Sequence, residues 1–347
     1  VVAERLVLEK IRKIQPVDSR IKEKIEKEFR EKCPEAKDLG GLVDLVANYG
    51  AMRGTEHPNP VKKAMMLMVG DHGVAKYNVS AFPQEVTLQM TKGYLKGIAP
   101  ANVMARHGGM DVVITDVGMN FDMSGYTGMN HCKIAWGTEA FSEGPAMTRE
   151  QAAEAIAVGI RLTEEKVDEG YGLFVLAEMG IGNTTSSAAI AAVMCSLTPV
   201  EATGRGTGVG DDRLAIKRNI VAKALEVNEI DSTDALDVLS KVGGFEIGAL
   251  AGVVLGAALR KAPVLVDGYI ATAAALIAYQ LAPLCREYMI GSHLSAEPAH
   301  IKMLEKLSLP PILNMGMRMG EGTGAALVAH ILDGALEVYQ ASFAEES

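Results

Sequence analysis

Six short apolar runs recur along the chain, at 64–69, 112–117, 173–177, 263–266, 288–291 and 312–315. Most are separated by helix-length amphipathic segments, at 83–97, 149–169, 186–197, 212–225 and 269–281. A run of four to six apolar residues bounded by turn residues reads as a strand buried on both faces. Strands that alternate with helices read as βαβ units, hence a parallel sheet of about six strands with helices on both faces. The expected fold class is therefore α/β. Glycine-rich or polar loops follow nearly every run, so the carboxyl ends of the strands should form one loop-lined face, where open α/β sheets bind ligands.

The clearest of these units is 173–190. Leu173, Phe174, Val175 and Leu176 lead into Glu178-Met179-Gly180-Ile181-Gly182-Asn183. Thr184, Thr185, Ser186 and Ser187 then offer helix N-caps, with helix from Ala188 onward. A strand, a glycine turn and a helix N-terminus together make an anion site, because free N–H groups and the helix dipole favour negative charge. An ordinary strand–helix turn is the competing reading. The spacing matches neither the Walker lysine loop nor the dinucleotide fingerprint.

Five further loops carry candidate chemistry. Asp71 and His72 follow the first run, and hydrogen bonding to neighbouring loops is favoured over a ligand role. Phe82-Pro83-Gln84-Glu85 opens the next helix, which also carries Met90; Phe82 and Met90 are either core or the walls of a flat apolar pocket. The loop 204–212, GRGTGVGDD, precedes a helix bearing Lys217, suggesting a second backbone contact to an anion with Lys217 as its charge. A solvated helix face is the alternative for that lysine. The loop 291–297 contains Ser295. In the loop 316–324 Glu321 lies between two glycines at a helix start, either as a cap or as a carboxylate accessible to substrate.

Composition narrows the class. A net charge of −9 argues against nucleic acid as a partner. No basic-then-apolar leader opens these residues, and no apolar run reaches the ~20 residues of a membrane span. The four cysteines lack metal-ligand spacing and read as reduced thiols, so a cytoplasmic protein is expected. No metal cluster, Walker loop or GxSxG elbow is visible. Isolated carboxylates at strand ends beside phosphate-type loops point to chemistry on a phosphorylated metabolite, without a metal or cofactor. An oxidoreductase would need GxGxxG with a following acid, and a non-catalytic nucleotide sensor would not need Glu178 and Glu321.

Eight blocks in order make the chain recognisable: GDHGV (70–74), PQEVT (83–87), EMGIGNTTSSAA (178–189), GRGTGVGDD (204–212), GGFEIGALAG (243–252), LVDGYIATAAAL (265–276), SHLSAEPAH (292–300) and MRMGEGTGAAL (317–327). Together they resemble the nicotinate-nucleotide–dimethylbenzimidazole phosphoribosyltransferase family. The resemblance implies a Rossmann-like three-layer domain at 60–324, a small helical domain from both termini at 1–59 and 325–347, and a homodimer. It implies nicotinate mononucleotide and a benzimidazole-type base as substrates. Glu321 corresponds to the family's general base and Glu178 sits in the same site, with the choice between them open. Gly180, Gly182, Asn183 and Lys217 correspond to the phosphate region, and Gly206 and Ser295 join the substrate-binding set. Phe82, Met90 and Met179 fall around the acceptor pocket. An aromatic ring and two thioethers there should be permissive, admitting several benzimidazoles, a purine or a phenol.

Overall fold

The computed structural model describes residues 2–343. A six-stranded, all-parallel sheet runs through it: β1 (Lys62–Gly70), β2 (Met110–Gly118), β3 (Asn130–His131), β4 (Tyr171–Met179), β5 (Val264–Val266) and β6 (Met289–Gly291). The spatial order is β3-β2-β1-β4-β5-β6. The order therefore reverses between β1 and β4, and a crevice opens at their carboxyl ends. β4 is buried along its whole length, which is why it reads as an unbroken apolar run.

Five of the six expected strands appear. The apolar run 312–315 does not form one. Its contact with the sheet side is a single parallel bridge, His293 to Leu313, with Leu294 N–H donating to the Leu313 carbonyl at 2.7 Å. Pro310 and Pro311 precede it and cannot donate to a ladder, so the segment stays irregular. The sixth strand is instead the two-residue β3, inside the 120–147 excursion. It is polar, and pairing with Thr115 and Asp116 defines it.

Helix Phe245–Leu259 packs on β1, β2 and β4, and helix Arg149–Asp168 packs on its back. The two backbones nearly touch. A Cβ on Gly159 would lie 1.9 Å from the Ala249 carbonyl oxygen, and one on Gly252 would lie 2.1 Å from that of Ile156. Helices Pro100–His107 and Thr323–Ala341 cover the other face. Helices Ser19–Lys32 and Gly41–Arg53 pack together and meet the far end of Thr323–Ala341, where Phe29 and Tyr339 stack edge-on at 5.1 Å. The first helix, Val2–Ile11, lies on Arg149–Asp168, tied by Arg149 to Glu4 at 2.7 Å. Among the described residues no helix is long and apolar enough to cross a membrane.

Candidate active site

The site lies at the β1–β4 switch point. β4 delivers Glu178 to the crevice, and the chain then turns across the end of β1 so closely that only glycine fits at 180. A Cβ there would lie 2.0 Å from the Gly70 carbonyl oxygen. Gly182 (φ 103°) is the N-cap of helix Asn183–Met194, so the helix begins several residues earlier than the hydroxyl run suggests. Ser186 and its neighbours sit within the first turns, where the Ser186 hydroxyl donates to the Val242 carbonyl at 2.6 Å. Gly182 faces the His72 side chain and does not line the cleft. His72 in turn bonds Glu246 at 2.6 Å, both fully buried, and Asp71 accepts the Asn120 N–H at 2.8 Å.

Glu178 is gripped from two sides. The Asn183 amide donates to its Oε2, and the Glu321 N–H donates to its Oε1 at 3.2 Å. Burial pushes its pKa well above the usual carboxylate range; the Glu321 N–H opposes that, while the charges of Glu321, Asp267 and Glu246 add to it.

Glu321 is held in an unusual backbone. Its φ is 59°, between Gly320 at 73° and Gly322 at 74°. A left-handed non-glycine residue stores on the order of 1 kcal/mol or more, and such strain collects at functional sites. Here the surroundings enforce it. A Cβ on Gly320 would sit 2.5 Å from Glu178 Oε1, and Asp267 anchors the helix that follows. Asp267 accepts from the Gly322 N–H at 3.2 Å and the Ala325 N–H at 2.9 Å. The carboxylate expected to be accessible is thus only 9% exposed, yet it still lines a cleft. Burial raises its pKa to about 7, against the pull of the buried Tyr94 hydroxyl and with the charge of Asp267.

That cleft holds about 800 Å³. Phe82, Val86, Met90, Met179, Ile181 and Met319 form its apolar walls, with Gln89 among them. Phe82 is 52% exposed, so it is a wall and not core. A narrow chamber adjoins the cleft; Glu178, Thr184, Gly206, Ile270 and Arg318 line both. Gly180 and Asn183 line the cleft, and Ser295 the chamber. Lys217 stands behind the chamber wall, 1% exposed rather than solvated, its Nζ donating to Thr184 Oγ1 at 3.0 Å. Burial lowers its pKa to about 8, partly offset by Glu297. Glu297 also accepts the Gly206 N–H at 2.7 Å.

Four residues here were not singled out from sequence: Asp267, Tyr94, Gln89 and Arg318. Asp267 carried a signal, because it follows an apolar run and precedes a glycine and a helix, as Glu178 does. Tyr94 and Gln89 carried none.

A phosphoribosyltransferase family model matches residues 14–347. A curated nicotinate-nucleotide–dimethylbenzimidazole phosphoribosyltransferase from Desulforamulus reducens is 46% identical over 98% of both chains. The chain belongs to this family. Another member, from Geotalea uraniireducens, is 44% identical over 96% of this chain and 95% of its own. The crystal structure of CobT from Thermus thermophilus superposes with a TM-score of 0.88 at 35% identity, covering 92% of this chain and 96% of that one. The Rossmann-like expectation and the family resemblance both hold.

Proposed function

We propose that the protein transfers the phosphoribosyl group of nicotinate mononucleotide to dimethylbenzimidazole or a related base, giving α-ribazole 5′-phosphate and nicotinate. The observation that carries this reading is a carboxylate, Glu321, with a pKa of about 7, lining an apolar cleft suited to flat rings. In the reaction the acceptor nitrogen forms a bond to C1′ while the bond from C1′ to the pyridine nitrogen breaks. Nicotinate leaves with that electron pair, its ring nitrogen neutral, so no acid is needed for departure. The acceptor's other ring nitrogen gives up its proton, and Glu321 takes it as the general base. Attack opposite the leaving group inverts C1′ from β to α.

Glu178, more enclosed, orients the Glu321 backbone and faces both cavities. The ribose phosphate lies where the cleft meets the narrow chamber: Thr184, Gly206 and Arg318 line both, the Lys217 cation backs them, and Gly180 and Asn183 line the cleft beside them. Gly182 acts through the loop's shape. Ser295 faces the sugar end, and Phe82, Met90 and Met179 wall the acceptor. The two-part organisation, 1–59 with 325–347 against 60–324, belongs to the same proposal. So does a homodimer in the cytoplasm, the latter supported by four free cysteines.

The test is chromatographic. Nicotinate release and a new riboside on mixing protein, nicotinate mononucleotide and dimethylbenzimidazole support the reading. Release of nicotinate that ignores the acceptor contradicts it.

A further inference from the structure

Two neighbouring histidines, His293 and His300, stand at the chamber's Ser295 side, and they differ in one respect. His300 is saturated: its Nδ1 accepts the Ser295 N–H at 2.8 Å, and its Nε2 meets Thr272 Oγ1 at 2.9 Å. Burial drives its pKa down to about 3, so it is neutral and holds the Ser295 loop. His293 is just as enclosed, 1% exposed, yet neither ring nitrogen has a hydrogen-bond partner. The nearest carboxylate oxygen, Asp267 Oδ1, lies 3.6 Å from Nε2, beyond hydrogen-bond reach.

The ring cannot swing away to find partners. A Cβ on Gly324 would fall 2.0 Å from its Cδ2, and one on Gly268 would fall 3.1 Å from its Nε2. Two glycines therefore make room for this imidazole and lock it. A buried polar group without a partner is destabilising by roughly 1–3 kcal/mol, and such a group in a site calls for a ligand that completes it. Burial pulls its pKa down, but Asp267 and the Leu294 backbone together raise it above the ordinary imidazole value.

Where His293 lies decides what it can touch. It lines the narrow chamber and not the broad cleft. The flat rings of donor and acceptor need the cleft, so they are out of its reach. Thr184 and Gly206, which line both spaces and are backed by Lys217, mark the phosphate position of the reading above. The chamber itself holds only about 20 Å³, room for a group the size of a hydroxyl, and the sugar between phosphate and rings is what presents one.

We propose that His293, beside Asp267, donates a hydrogen bond to a ribose hydroxyl of the phosphoribosyl donor and makes the enzyme selective for ribo- over deoxyribonucleotides. This rests on the phosphoribosyl-transfer reading above. A site built to bond a hydroxyl rejects the analogue that lacks it, because its own polar group is left unpaired.

The experiment compares kcat/KM for nicotinate mononucleotide with its 2′-deoxy and 3′-deoxy analogues, in wild type, His293→Ala and His293→Gln. Wild type should disfavour at least one analogue by about tenfold or more. His293→Ala should lower ribonucleotide turnover and bring that ratio close to one, while His293→Gln, which keeps a donor, should restore part of it. A wild-type ratio near one, or a ratio unchanged in His293→Ala, overturns the proposal. Should the variants not fold, a wild-type crystal with bound nicotinate mononucleotide decides. A His293 ring nitrogen about 3 Å from a ribose hydroxyl supports it, and separation by more than about 4 Å overturns it. No turnover of nicotinate mononucleotide by wild type would instead strike at the reaction itself.

Discussion

The backbone N–H of Glu321 donates to the side chain of Glu178 at 3.2 Å, so one catalytic candidate holds the other in place. Glu178 feels the charge of Glu321, and their surroundings separate the two further. Glu178 is the more enclosed and is raised well above the ordinary carboxylate range by burial, whereas Glu321 rests at about 7. Two carboxyl groups split in this way can take different roles. In the proposed reaction Glu178, held by a donor on each oxygen, orients, and Glu321 exchanges a proton near neutral pH.

Replacing Glu321 by Gln should leave the fold intact and reduce turnover by about 10²–10⁴-fold, the range for losing a general base. As the proposed base Glu321 acts when deprotonated, so kcat/KM should rise as pH increases through about 7 and fall below it. Glu321→Gln should lose that rising limb. Near-normal turnover in this variant, with collapse in Glu178→Gln, would transfer the role of base to Glu178.

Lys217 predicts the opposite limb. In the proposed site it backs the phosphate as a cation, and that charge is lost as pH rises through about 8. The KM for nicotinate mononucleotide should therefore climb above that pH. Lys217→Ala should raise it on the order of 10- to 100-fold, as removal of a charge-assisted bond does, with the acceptor KM nearly unchanged. An equal rise in both KM values would remove Lys217 from the phosphate site.

Acceptor choice should be broad. Phe82, Met90 and Met179 all line the cleft, and thioethers adapt to differently shaped rings. Gln89 lies among them and supplies a polar group that the apolar reading of these walls did not include. Competition among dimethylbenzimidazole, benzimidazole, adenine and p-cresol should show several products, with proportions altered in Phe82→Ser and Met90→Gln. Strict selection of dimethylbenzimidazole, identical in both variants, contradicts this.

Stability depends on the crossing of helices Arg149–Asp168 and Phe245–Leu259. Gly159→Ala would place a methyl 1.9 Å from the Ala249 carbonyl oxygen, so the helices must separate. Overpacking of this kind typically destabilises by about 1–3 kcal/mol, visible as a lower urea midpoint. An unchanged midpoint would show that the crossing adjusts freely.

Much of this architecture was legible before any coordinates. β1 and β4 are long and apolar because both their faces are covered, and Glu178 and Glu321 stand out beside glycine-rich turns. Other features depend on the third dimension. Asn130 and His131 form a strand only through pairing with β2, and no hydrophobic pattern announces them. Ile312 and Leu313 look like a strand but follow two prolines and make one bridge. The hydroxyl run 184–187 resembled a cap, yet the left-handed Gly182 starts the helix before it. Tyr94 and Gln89 reach the site from one helix crossing over it, a placement set by packing. Glu321 looked exposed from its glycine neighbours, which instead let the chain fold it inward.

The central claim is that Glu321 deprotonates an acceptor that displaces nicotinate from C1′. Its most direct test is analysis of the product formed in a single turnover of nicotinate mononucleotide with dimethylbenzimidazole, by wild type and Glu321→Gln. The account predicts one nicotinate released for each α-configured riboside formed by wild type, and a rate at least about 10²-fold slower in the variant. A β-configured product, or equal rates in the two proteins, would contradict it.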